Sequence, residues 1–218
     1  MTHAGYHRLR SLAITLLLAA AGCTVLAPQK DESKFYLLTP IPVGASTAMS
    51  PVNPGRELSI GIGPVTFPGY LKRSEIVTRT SDDQLVLSEN QRWAESLDAN
   101  FQSVLAQDLS QMLATQRIVI FPWYGTTHID YQVEIQVSRF DASSDRQSRL
   151  TARWSIKNGA NGNILFATET TNTSAVAGDD LAGSAALSRD VAELSREIAN
   201  RIRELNSGGT IASVPDAN

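Results

Sequence analysis

Cysteine occurs once in the 218 residues, at Cys23, and histidine only at His3, His7 and His128. One cysteine cannot close an internal disulfide or supply a thiolate cage for zinc. With one histidine beyond residue 7, a mature chain has no pair of imidazoles to share a metal. Charge of one sign is also lacking: 19 basic residues face 22 acidic ones, a formal net of −3. That leaves no basic footprint for nucleic acid. No apolar run reaches the ~20 residues that a membrane-spanning helix needs. The G-x-S-x-G nucleophile elbow and the G-x-x-x-x-G-K-[ST] phosphate loop are absent. A dinucleotide fingerprint fails too, because Thr66 stands where Gly61-Ile62-Gly63 would need a third glycine.

What is present begins with an address. Residues 1–22 carry Arg8 and Arg10, then an apolar stretch over 12–20 broken only by Thr15, then Ala20, Ala21 and Gly22. This is the order of a secretory signal peptide; a short buried N-terminal helix is the alternative. Cys23 follows Ala-Ala-Gly directly. The arrangement resembles the bacterial lipobox, with Ala20 where leucine is usual. The resemblance implies that Cys23 is acylated and becomes the first residue of the mature chain. Two or three acyl chains make a lasting anchor, because each buried CH₂ contributes about 0.8 kcal/mol. Thr24, where an aspartate would retain enteric lipoproteins at the inner membrane, favours the outer membrane by that analogy. Residues 1–22 hold two arginines and no acids, so the remainder carries 17 basic and 22 acidic residues. An acidic body does not adhere to anionic lipid by charge, which leaves anchoring to the acyl chains. Residues 23–33 comprise the lipidated cysteine and a tether reaching at most about 35 Å.

Residues 34–206 read as one domain. Lys34-Phe35-Tyr36-Leu37-Leu38 predicts a first short strand, and residues 40–56, with four prolines, a long loop. Leu58, Ile60 and Ile62 alternate, with Gly61 and Gly63 on the opposite parity, where small residues let something approach closely. Residues 75–79 and 84–87 predict a hairpin turning at Ser81-Asp82-Asp83. Residues 91–114 predict a helix, with Trp93, Leu97, Phe101, Val104, Leu105, Leu109, Met112 and Leu113 on one stripe. Ser88 with Gln91 suggests a capping box, with Asn90 as a rival N-cap. Strands follow at 117–121, 131–137, 150–156 and 164–168. A second helix is expected from Asp179-Asp180 to about Leu205, with i,i+4 pairs Arg189–Glu193 and Glu197–Arg201. Residues 207–218 read as a disordered tail. Strands, helix, strands, helix is the order of an α+β domain, with a mixed, mostly antiparallel sheet and two long helices packed on one face.

The residues offer little chemistry. His128 reads as a surface histidine, and Asp82-Asp83 and Asp179-Asp180 as turn and helix-cap residues. No catalytic, metal or cofactor site is expected. Two aromatic segments stand out: Phe67-Pro-Gly-Tyr70-Leu71, followed by Lys72 and Arg73, and Phe121-Pro-Trp123-Tyr124. Each is either a partner-facing loop or a loop folded back over the core. Trp93 and Trp154 are expected in the core.

Lys34-Phe-Tyr-Leu-Leu38, the block from Ile60 through Gly63-Pro64-Val65 to Tyr70-Leu-Lys-Arg73, Ile76-Val-Thr-Arg79 and Arg92-Trp93-Ala-Glu-Ser-Leu97 resemble the successive signatures of the PqiC/YmbA family. These are the ABC-type transport auxiliary lipoproteins. The resemblance extends over residues 34–205 and implies a non-enzymatic, accessory role in intermembrane lipid transport. The implied partners are an MCE-domain tunnel protein and its inner-membrane partner, with the lipoprotein at the periplasmic face of the outer membrane. Symmetric tunnel rings suggest a ring-shaped partner, which leaves a homo-oligomer open. The docking surface is then expected at Phe67, Tyr70, Leu71, Lys72 and Arg73, with Trp123 and Tyr124 second. A lipid-carrying module and a structural envelope lipoprotein without transport are the alternatives.

Overall fold

A computed structural model describes residues 32–42, 57–123, 127–178 and 183–208. Cys23, the leader, most of the proline-rich loop, Tyr124, the Asp179-Asp180 pair and the tail from residue 209 lie outside the described residues. The compact unit begins at Ser33.

The elements are β1 (Lys34–Tyr36), β2 (Ile60–Thr66), a 3-10 turn (Gly69–Leu71), β3 (Glu75–Arg79), β4 (Leu85–Trp93), α1 (Leu97–Leu113), β5 (Ile118–Ile120), β6 (Tyr131–Ser143), β7 (Gln147–Asn158), β8 (Ile164–Ala175) and α2 (Ser184–Asn206). Among the described residues eight strands form one mixed sheet, in the order β1-β4-β3-β6-β2-β5, with β7 on β6 and β8 on β7. The β6–β7–β8 meander is antiparallel and has the longest ladders. The pairings β1–β4, β2–β5, β2–β6 and β3–β6 are short and parallel.

Strand β6 organises the rest. One edge carries β7 along nearly its whole length. The other edge is shared in succession: β2 pairs with Tyr131 to Gln136, and β3 only with Ala142 and Ser143. The segment between β2 and β3 closes the interval. There the Phe67 ring meets Phe101 edge-on at 5.3 Å and Phe140 at 6.5 Å.

Both helices pack on the sheet and on each other, α1 over β2 and β5, α2 over β6 to β8. Alternation supplies the apolar face: Val133, Ile135, Leu150, Ala152, Trp154 and Ile156 are all buried. The α2 stripe of Leu187, Val191, Leu194, Ile198 and Ile202 seals them. The chain after β1 threads between the helices, and side chains satisfy its amides. Leu38 N–H donates to Asn100 Oδ1 (2.6 Å), Thr39 N–H to Ser188 Oγ (3.1 Å) and Ile41 N–H to Asp108 Oδ1 (2.9 Å).

Three local expectations are corrected. The first helix starts at Leu97, not residue 91, because residues 91–93 pair with β1 and the Trp93 amide donates to Ser74 O at 2.7 Å. Ser96 is therefore the N-cap, and Ser88 instead accepts from the Gln91 amide within β4. The second helix starts at Ser184, after Gly183 at φ +64°. Its ion pairs run at i,i+3, Glu193 with Arg196 and Arg201 with Glu204. Arg189 is drawn away to Ala175 O, and Glu197 accepts from Thr170 Oγ1 at 2.8 Å.

Candidate functional site

Gly61 and Gly63 admit the second aromatic segment. A Cβ at Gly61 would lie 3.0 Å from Trp123, and one at Gly63, whose φ is +119°, would lie 2.7 Å from Phe121 Cβ. Only glycine takes that conformation and that contact together. Trp123 is half-buried and meets Phe121 edge-on at 5.4 Å, while Phe121 is 46% exposed.

The first segment splits. Phe67 and Leu71 are core residues, 7% and 4% exposed. For these two the loop folds back over the core; Gly69, Lys72 and Arg73 are exposed. Tyr70 is half-buried, and its hydroxyl donates to Asp141 Oδ2 at 3.2 Å. Burial and the neighbouring Asp141 charge push the Tyr70 phenol up, so it stays a donor.

Leu71 and Phe67 also form the floor of a groove of about 490 Å³, together with Trp93 and Leu97. Lys72, Arg73 and Ser74 line it on the side of the 3-10 turn; Ala94, Glu95, Ser96 and Asp98 line it from the β4–α1 turn. An apolar floor with a few charged groups around it is the composition of a recognition site. Lys72 and Arg73 reach this groove, and Trp123 does not line it. The wall of Ala94, Glu95, Ser96 and Asp98 is not legible from sequence because residues 91–114 read as one helix. Phe35 and Leu37, 65% and 47% exposed, were also missed as surface groups. Their signal is the alternation in Phe35-Tyr36-Leu37-Leu38, whose Tyr36 and Leu38 point inward.

Three buried carboxylates complete the electrostatics. Asp141 accepts from Arg79 Nη2 (3.1 Å), Arg139 Nε (2.9 Å) and Tyr70. Asp108 accepts from Ile41 N–H and, at 3.2 Å, from Ser195 Oγ; Asp190 accepts from Ser148 Oγ at 2.6 Å. Burial pushes both Asp108 and Asp190 above the usual carboxylate range. His128 is exposed beside Asp130, at 3.0 Å. Among the described residues no group of three or more His, Cys, Asp or Glu is placed to hold a metal.

A family model, that of the ABC-type transport auxiliary lipoprotein component, matches residues 36–199. The chain belongs to this family. A relative, the "Intermembrane transport lipoprotein PqiC" of Escherichia coli strain K12, is 27% identical over 134 residues. That match covers 62% of this chain and 66% of the relative, just under two thirds of its length. Two crystal structures share the fold. One, of an uncharacterized protein, has a TM-score of 0.61 at 21% identity and covers 78% of this chain and 98% of its own. The other, protein XCC0632 from Xanthomonas campestris, has a TM-score of 0.61 at 13% identity and covers 82% and 100%. Family membership makes the chain a transport auxiliary lipoprotein. Among the described residues no helix is long and apolar enough to cross a membrane.

Proposed function

We propose that this auxiliary lipoprotein is anchored by acylated Cys23 at the periplasmic face of the outer membrane. There it docks an MCE-type intermembrane lipid transport system, formed by an MCE-domain tunnel protein and its inner-membrane partner. The observation that carries this reading is the family match over residues 36–199. The E. coli relative, named for intermembrane transport, supports the system proposed. The role is docking rather than catalysis: the groove offers an apolar floor and charged flanks, suited to an inserted apolar side chain.

Leu71 and Phe67 cannot be charged without opening the core, so the test uses the walls. Ala94→Trp fills the groove from an exposed position, and Lys72→Glu with Arg73→Glu reverses its cationic side. Each variant should keep its melting temperature and lose crosslinking to the MCE-domain protein in membranes. Undiminished crosslinking in both rejects the groove. Cys23→Ser should release the chain from washed membranes, and its retention there rejects the anchor.

A further inference from the structure

On the sheet face away from the helices, two guanidiniums hold one carboxylate and a third arginine stands opposite it in the strand ladder. Strand register puts them there. Asp141 stands directly opposite Arg149 in the β6–β7 ladder, and Arg149 is in turn opposite Thr173 on β8. Cross-strand partners share a face. Arg139 is two residues before Asp141 on the same side, and Arg79 arrives on β3 beside Ser143.

The Asp141 side chain has no exposed surface, and Arg79, Arg139 and Tyr70 take up its oxygens. Arg149 receives no share. Its Nε is buried and has no hydrogen-bond partner, and no ion pair to it forms among the described residues. Arginine does not shed its proton to relieve this. Three cations against one anion leave a local excess of two positive charges in a chain whose net charge is −3.

An unpartnered guanidinium presents a planar fork that matches two oxygens of a phosphate, and a charge-assisted bidentate contact is among the stronger polar interactions. We propose that Arg149, flanked by Arg79 and Arg139 and with the Thr173 hydroxyl across the ladder, forms a binding site for a phosphate-type oxyanion. The oxyanion belongs either to a lipid headgroup or to free phosphate. The site does not rest on the docking reading above.

The test titrates the full chain in neutral detergent with two probes, inorganic phosphate and the water-soluble dihexanoyl phosphatidylglycerol, by calorimetry. Saturable binding of at least one probe is expected. Arg149→Gln should weaken it at least tenfold, and Arg149→Lys, which keeps the charge and loses the fork, by a smaller factor. Lys157→Gln removes a cation on the same face that is already paired with Glu134 at 2.7 Å, and should leave binding unchanged. Loss for phosphate alone assigns free phosphate, and loss for the lipid alone or for both assigns a headgroup; each supports the site. No saturation of the native chain by either probe overturns it. So does equal binding by native chain and Arg149→Gln, or equal weakening in Lys157→Gln. Unliganded melting curves that superimpose establish that Arg149→Gln is folded, and Arg149→Lys carries the comparison if they do not.

Discussion

On the helix-free face of the sheet Asp141 is buried among Arg79, Arg139 and Tyr70; on the helix-covered side Asp108 and Asp190 are buried among hydroxyls and a backbone amide. The same side chain therefore meets the cost of burial in two ways. Cations hold the first in an ion-paired network. The other two have only neutral donors, and burial drives them toward the protonated form. The difference follows from position. Strand residues on an open face can be reached by long arginines from neighbouring strands, whereas a helix–sheet seam admits only short hydroxyls without losing its packing.

The largest effect should come from the cation-rich side. Asp141→Ala leaves Arg79 and Arg139 without their acceptor and should cost about 3 kcal/mol, read from the urea midpoint at unchanged slope. A cost no greater than that of Asp190→Ala would erase the contrast. Tyr70→Phe removes one donor to the same carboxylate and should cost about 1–2 kcal/mol.

Asp190→Asn should do the opposite at neutral pH. The native carboxyl is raised, so between the ordinary carboxylate value and the raised one the folded state holds more protons than the unfolded chain. Stability from this group therefore grows as pH falls through that window. Asparagine keeps an acceptor for Ser148 and carries no charge. It should raise the melting temperature by roughly 2–4 °C at pH 7, equivalent to about 1 kcal/mol, with the advantage shrinking toward acid pH. An advantage that grows on acidification would contradict the protonation account. The smallest change is expected from Lys72→Glu with Arg73→Glu. Both positions are exposed, and stability should move by less than about 0.5 kcal/mol while docking is lost.

Much of the fold could be read locally. The alternation of Tyr131 through Val137 and of Leu150 through Ile156, and the stripe along α2, each settle an element and its inner face, because period and burial travel together. The candidate site was legible only in part. Lys72 and Arg73 line the groove from exposed positions, whereas Phe67 and Leu71 supply its floor rather than its surface. Ala94, Glu95, Ser96 and Asp98 form the opposite wall, hidden from sequence because the Trp93-to-Leu97 spacing of four continues a helical stripe across the end of a strand.

Most elements and their buried faces, the glycines that need a neighbour close by, and the family signatures are legible in the residue order alone. Each depends on residue types within a few positions of one another. The positions of the two aromatic segments follow from long-range packing. β2 and β3 leave an interval along one edge of β6, and the Phe67 ring closes it against Phe140; Trp123 finds the bare backbone of Gly61. A loop's burial is set by the vacancy that distant strands leave for it, and no local pattern records that vacancy.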